Sequence, residues 1–388
     1  MRIAINTRFL LPGKLEGIGW YTYEVCRRLV EQHPEDEFIF LFDRPFDKQF
    51  HFGPNVRGVL VPPPARHPVL WYLWFEWAVP AALKTLKPDV FFSPDGYMSR
   101  TVGTPSVMVL HDLAYIHYPE QLPKPVLRYL TRYTRKFLAR SDRIIAISHF
   151  VKSDILSHFP LEEARITVAP NGCREGFVPL EAAEQQQVRN QYAGGEPYFF
   201  YLGALHPRKN IPRLIEAYCR FREETGANVK LLVGGRMAWK TGAIFDAWTQ
   251  AAFRDDVRFL GYLPEEELKK VTASALALTY LSLFEGFGLP ILEAMHCDVP
   301  VITSSAASMP EVAGDAALLA DPTQVDQIAG AMTEIWRKPE LRESLIARGR
   351  AQRETFSWDL AAQRIYTVLE QAVKKKAPGV YNHTDASS

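Results

Sequence analysis

Cysteine is scarce: the 388 residues hold four, Cys26, Cys173, Cys219 and Cys297, and no two form a C-x-x-C pair. A disulfide framework and a zinc ribbon are both excluded as the basis of the fold. Charge of one sign is lacking too. Lysine and arginine number 45 against 44 aspartate and glutamate, a net charge of +1. No strongly basic surface is therefore available for nucleic acid as a whole. No apolar run approaches the ~20 residues needed to span a bilayer. The opening Met1-Arg2-Ile3-Ala4-Ile5-Asn6 reads as a buried strand, not as a signal peptide, so the expectation is a cytosolic protein that at most rests on a membrane. No aspartate has another two positions on, so a D-x-D metal pair is missing. Nor does the sequence show a cluster of metal ligands, and the expectation is no essential metal and no cofactor.

What remains is the composition of a large globular protein. At 388 residues and 47% hydrophobic content the chain exceeds one ordinary core, which argues for two domains. Only the end, where Lys374-Lys375-Lys376 leads into a polar tail closing on Ser387-Ser388, is expected to be disordered. Counting to Glu175 gives 22 basic and 18 acidic residues, against 23 and 26 beyond it. The basic side therefore falls on the first half.

Short apolar runs alternate with helical periodicity from end to end. Strands are predicted at 3–6, 38–42, 56–61, 90–93, 106–110, 143–147 and 166–168, with helices between most of them, such as 20–32 and 125–139. After a polar stretch at 180–196 the pattern restarts, with strands at 198–202, 229–233, 257–260, 275–280 and 299–303. Such alternation predicts an α/β protein with two mostly parallel sheets, each flanked by helices, joined near residues 172–196.

The strongest local signal is Glu285-Gly286-Phe287-Gly288-Leu289-Pro290-Ile291-Leu292-Glu293. The glycines allow backbone N–H groups to approach a ligand, and a helix opening at the proline favours an anion. Glu285 is placed in the loop and Glu293 in the first turn, each able to accept hydrogen bonds from sugar hydroxyls. A glycine-rich turn with an ordinary N-terminal acid is the plainer alternative. Arg208 and Lys209, after the first strand of the second half, are placed to neutralise a diphosphate, or else form a solvated pair. Gly17-Ile18-Gly19 precedes the helix at Trp20; as a dinucleotide fingerprint it is incomplete, because the third glycine position is Thr22. His111 ends the strand 106–110, where ligands of α/β sheets bind, and Ser148 is similarly placed. Gly234-Gly235 and Gly261-Tyr262-Leu263 are loops at strand ends of the second half. Finally, 125–140 carries a basic stripe, Arg128, Arg132, Arg135, Lys136 and Arg140, opposite Leu127, Leu130, Thr134, Phe137 and Leu138. With the aromatic Trp71-Tyr72-Leu73-Trp74-Phe75-Glu76-Trp77 it could seat the first domain on an anionic membrane or hold a lipid-linked acceptor; a solvated helix face beside a buried aromatic cluster is the alternative.

Glu285 to Glu293, continuing through Ala294-Met295 and Val299-Pro300-Val301-Ile302-Thr303-Ser304, resembles the E-x7-E signature of family-four retaining glycosyltransferases. Gly203-Ala204-Leu205-His206-Pro207-Arg208-Lys209-Asn210 is similar to that family's G-x-x-x-x-R-K-N segment. The resemblance covers nearly the whole chain and implies a GT-B fold: two Rossmann-like domains facing a central cleft. It implies an acceptor domain at 1–175, a nucleotide-sugar domain at 196–356, and a last helix at 357–375 that crosses back to the first domain. It implies Glu293 on the nucleotide ribose and Glu285 on the transferred sugar. Backbone amides of Gly286, Phe287, Gly288 and Leu289 would meet the sugar and pyrophosphate. Arg208 and Lys209 would hold the leaving diphosphate, and His111 would face the transferred sugar. Gly17, Gly19, Gly203 and Gly234 would line the donor site, with the base near Tyr262 and Leu263. The implied activity is metal-independent transfer, with retention, from a nucleotide-diphosphate sugar to a glycan or lipid-linked acceptor. Relatives of this pattern point to GDP-mannose and cell-surface polysaccharide. Two rivals stand beside it. A nicotinamide-dependent dehydrogenase explains neither Arg208-Lys209 nor Glu285–Glu293; a non-catalytic nucleotide-sugar-binding protein would keep the nucleotide groups and show no turnover.

Overall fold

The first sheet is parallel and seven-stranded. Its strands are β1 (Arg2–Asn6), β2 (Glu37–Phe42), β3 (Val56–Leu60), β4 (Val90–Ser93), β5 (Ser106–Leu110), β6 (Arg143–Ala146) and β7 (Ile166–Val168), in the order β3-β2-β1-β4-β5-β6-β7. The computed structural model describes residues 1–13, 15–236 and 242–376, so the polar tail expected to be disordered lies outside the described residues. Helices cover both faces of the sheet, and its central strands are accordingly runs of buried apolar residues instead of alternating, whereas the edge strand β3 is partly exposed. Ile3, Ala4 and Ile5 of β1 and Phe91 and Phe92 of β4 are wholly buried. Pairing sets Ile3 beside Phe38 on one side and Val90 on the other.

The second sheet is parallel and six-stranded: β8 (Tyr198–Leu202), β9 (Lys230–Gly234), β10 (Val257–Gly261), β11 (Ala277–Tyr280), β12 (Val301–Ser304) and β13 (Ala317–Ala320), in the order β10-β9-β8-β11-β12-β13. The first twelve strands are those read from the sequence; β13 is an addition. It is an edge strand of Ala-Leu-Leu-Ala with its middle partly exposed, and it holds none of the β-branched or aromatic residues of which every other strand has at least one.

The last helix, Trp358–Lys376, packs on the helix Gly17–Gln32 and on β4, β5 and β6 of the first sheet. Arg28 Nε donates to Asp359 at 3.0 Å, the Tyr366 hydroxyl donates to Asp36 at 2.8 Å, and His33 stacks on Tyr366 with ring centres 3.4 Å apart. The chain therefore passes between the two sheets twice, once after β7 and once before this helix.

Candidate active site

In each sheet the strand order reverses at one point, and a crevice opens there beyond the carboxyl ends of the strands. In the first sheet the reversal lies between β1 and β4. Asn6 Nδ2 donates to Ser93 Oγ at 3.0 Å and to Asp95 Oδ2 at 2.7 Å, while Arg8 Nε meets the same Asp95 oxygen at 2.5 Å. Arg8 and Asp95 are almost wholly buried, so the pair is a fixed floor and not an open site.

In the second sheet the reversal lies between β8 and β11, and the strongest sequence signals converge on it. Arg208 and Lys209 follow β8; Glu285 follows β11. Arg208 Nη1 donates to the Phe284 carbonyl at 2.9 Å and to Glu285 Oε2 at 3.1 Å. Lys209 Nζ donates to Glu285 Oε1 and, at 3.0 Å, to the Tyr280 hydroxyl. Asn210, left-handed at φ 62°, anchors the segment by donating to the Leu281 and Pro322 carbonyls at 3.1 and 2.6 Å. Burial raises the Glu285 carboxyl, but Arg208 and Lys209 outweigh it and hold the pKa down at about 2. Glu285 in turn raises Arg208, whereas burial lowers Lys209 against the pull of Glu285. Two cations share the Glu285 carboxylate at a strand-end crevice, and the nearby Asp112 carboxylate also acts on both of them.

The turn after Glu285 is where the two halves meet. Gly286 packs on the backbone carbonyl of His111 at the end of β5, so closely that no Cβ would fit. The Gly286 carbonyl accepts from Ser148 Oγ at 2.7 Å, and the carbonyls of Glu285 and Phe287 accept from Ser308 Oγ at 2.8 and 2.6 Å. Gly288 caps the next helix, Leu289–His296, at φ 119°, a region that glycine adopts freely. Phe287 itself is buried, edge-on to Phe356 with centres 5.6 Å apart. His111 Nε2 lies 2.6 Å from the Pro94 carbonyl, and Tyr21 stands edge-on at 4.8 Å. Burial lowers the His111 pKa despite the Pro94 carbonyl, so the neutral ring donates from Nε2 and keeps Nδ1 as an acceptor.

Glu293 falls in the second turn of its helix instead of the first, because the helix opens at Leu289, and its carboxylate is 2% exposed. Its partner is not among the residues singled out from the sequence: Arg174, in the segment after β7, donates from Nε and Nη2 to Oε1 at 2.9 and 2.7 Å. Gly17-Ile18-Gly19 is also placed differently. It is the first turn of the helix Gly17–Gln32, capped by the extended Glu16, and not a loop ahead of it. That turn still faces the second half, since Glu16 pairs with Arg236 at 2.7 Å and Trp20 lies under Arg174. Three neighbouring strand ends close the rim: Gly203 N donates to the Gly234 carbonyl at 3.0 Å and Gly235 N to that of Gly261 at 2.8 Å. Beyond them Tyr262 is 71% exposed, while Leu263 is partly buried against the core.

Two further expectations are corrected. The structure brings together two clusters of metal-ligand type: the ligand atoms of His117, Asp154 and His158 lie within 4.8 Å of one another, with His117 distant in sequence from the other two, and so do those of the neighbouring His33, Glu35 and Asp36. In the first, His117 Nε2 bonds Asp154 at 2.8 Å and its ring meets Phe284 at 4.6 Å. The basic stripe on the helix Lys124–Arg140 is shorter than its spacing implies. Arg128, Arg132, Arg135 and Lys136 are exposed, but Arg140 turns inward to the Val102 and Thr104 carbonyls. Of the aromatic run, Trp74 and Phe75 are core, and only Trp77, 68% exposed, stands clear among its aromatics. Among the described residues no helix is long and apolar enough to cross a membrane.

Comparison with known proteins fits this geometry. The family profile of group 1 glycosyl transferases matches residues 183–352, and that of glycosyltransferase family 4 matches residues 15–175. The chain is 32% identical over 356 residues to the O-antigen chain mannosyltransferase B of Escherichia coli, covering 89% of this chain and 93% of that protein. It is 25% identical to the O-antigen chain mannosyltransferase RfbU of Salmonella typhimurium, covering 70% and 72%. Among solved structures, sucrose-phosphate synthase from Thermosynechococcus elongatus superposes with TM-score 0.79 at 18% identity, covering 96% of this chain and 99% of that one. HepE of Anabaena, in complex with UDP and glucose, superposes with TM-score 0.73 at 18% identity, covering 96% and 100%. The two facing parallel sheets are thus the GT-B arrangement, and the chain belongs to the group 1 glycosyl transferases of family-four type.

Proposed function

We propose that this glycosyltransferase moves mannose, with retention and without a metal, from GDP-mannose to a glycan or lipid-linked acceptor of a cell-surface polysaccharide. The observation that carries the reading is the Arg208–Lys209–Glu285 cluster at the reversal point of the second sheet. A diphosphate needs countercharge as it leaves, and preorganised cations supply it without reorganisation. In this scheme Arg208 and Lys209 hold the diphosphate, and Glu285 accepts from hydroxyls of the transferred sugar. Glu293 takes the ribose, and amides of the 286–289 turn meet the pyrophosphate. Gly203, Gly234, Tyr262 and Leu263 border the base. His111, an acceptor at Nδ1 with a lowered pKa, orients a sugar hydroxyl and is a poor base. Mannose is favoured by the two O-antigen mannosyltransferases to which the chain is similar. The exposed arginines of the helix Lys124–Arg140, with Trp77, would set the first domain against an anionic membrane, bringing it to a lipid-linked acceptor.

A thermal-shift screen with GDP, UDP, ADP and their sugars tests the donor, because a ligand that binds the native state raises its apparent stability. Product analysis with the donor that binds then tests transfer. We expect GDP-mannose to stabilise the protein and its mannose to be transferred in EDTA. Replacing Arg208 and Lys209 together by alanine should cost ~10²-fold or more in rate. Activity lost in EDTA and restored by magnesium or manganese would overturn metal independence. Tight nucleotide binding with no transfer from any donor would make the chain a binding protein.

A further inference from the structure

Arg174 belongs to none of the motifs discussed above, yet it is the side chain that holds Glu293. Its guanidinium is 13% exposed, clamped between Trp20, with ring centre 5.5 Å away, and Phe177 at 5.1 Å. Both of its bonds, at 2.9 and 2.7 Å, end on the same carboxylate oxygen, Oε1. Among the described residues Oε2 accepts no hydrogen bond. A planar guanidinium fixed by two rings and bonded through two nitrogens defines the rotation of the carboxylate it touches. We propose that Arg174 is a positioning residue for nucleotide recognition: it pins Glu293 by one oxygen so that the other is presented to the ribose hydroxyls of a nucleoside diphosphate. This rests on reading Glu293 as the ribose ligand. It also makes ribose recognition depend on the crossing segment after β7, since Arg174 stands there while Glu293 stands in the second half.

Calorimetry with GDP and 2′,3′-dideoxy-GDP, and with the corresponding uridine pair, tests it on wild type, Glu293→Gln, Arg174→Gln and Arg174→Lys; the series that binds wild type more tightly is read. Wild type should prefer the ribose form, and Glu293→Gln should abolish that preference. If it does not, the ribose reading of Glu293 fails, whatever Arg174 does. If it does, Arg174→Gln should bind the ribose form about tenfold more weakly, as for a lost hydrogen bond to a charged group, and the dideoxy form within twofold of wild type. Arg174→Lys, which keeps a cation at the buried position, should lie between the two and decides the matter if the glutamine variant does not fold. Equal losses for ribose and dideoxy forms would reduce Arg174 to general structural support. Unchanged or tighter binding of the ribose form would make Arg174 a bystander, or a placeholder that the ribose displaces. Each of these outcomes overturns the proposal.

Discussion

In the proposed scheme Glu285 would have opposite duties before and after the donor binds. Its carboxylate pairs with Arg208 and Lys209; under the proposed scheme those cations would turn to a diphosphate when donor binds, and the carboxylate would be freed for the sugar. Glu285→Gln should therefore lower the transfer rate by about 10²-fold while nucleoside diphosphate affinity stays the same or rises. Glu293→Gln should weaken nucleotide binding instead; kinetics and calorimetry on both variants separate the roles. A Glu285 variant with weakened nucleotide binding and an unchanged rate would reverse the assignment. The ion cluster also sets a pH dependence. The folded-state pKa of about 2 lies below the ordinary 4.5, so the stability it contributes is present above about pH 4.5 and is lost as pH falls towards 2. Glu285 should account for on the order of 1–3 kcal/mol of the stability wild type loses across that window, so Glu285→Gln should lose less by about that amount, read from denaturant midpoints at several pH values. These two glutamates were legible because the turn between them needs glycines and a proline at fixed spacing. Arg174 was not, since 119 positions separate it from Glu293, and only the fold brings them together.

At the scale of elements, one helix N-terminus helps to join the halves. The helix His149–His158 is capped within its own chain segment by Ser148 Oγ, which accepts from Val151 N at 3.1 Å. Its first two amides, His149 N and Phe150 N, point at the carboxylate of Glu311 in the second half, at 2.8 and 3.0 Å. A carboxylate at a helix N-terminus satisfies unpaired donors and meets the positive end of the helix dipole. Removing it should cost about 0.5–2 kcal/mol, the range for caps. Because this cap bridges the halves, Glu311→Ala should also loosen their closed arrangement. A radius of gyration by small-angle scattering larger than that of wild type is the expected result; an unchanged radius would show that Gly286, Ser148 and Arg174 suffice to hold it. Strands were the most legible elements, since sheets buried on both faces demand continuous apolar runs. The helix start at Gly17 was misjudged because glycine favours loops on propensity, whereas tertiary contact of Glu16 and Trp20 fixes a helical turn there.

Over the whole molecule, charge and exposure are distributed unevenly, and the asymmetry points outward from the first domain. Arg128, Arg132, Arg135 and Lys136 stand exposed along the helix Lys124–Arg140. The segment Pro68–Leu73 packs beside it, with the rings of Tyr72 and Tyr133 at 5.9 Å, and Val69, Leu73 and Trp77 are exposed around it. Four cations next to an aromatic and two aliphatic side chains match a surface that meets lipid headgroups and dips into their boundary. Each cation near an anionic surface contributes ~1 kcal/mol, screened by salt, so the proposed reversible binding would need no spanning helix. Wild type should co-sediment with vesicles containing acidic lipid at low salt, less at high salt, and not with neutral vesicles. Arg128, Arg132 and Arg135 changed together to glutamate should abolish that binding and leave nucleotide affinity intact, because no described contact joins this face to the Arg208–Glu285 crevice. Trp77→Ala should weaken binding at both salt concentrations alike, since its share is apolar and unscreened. If wild type ignores acidic vesicles even at low salt, the row is a solvated face, and a soluble acceptor becomes the reading that the closed cleft must serve.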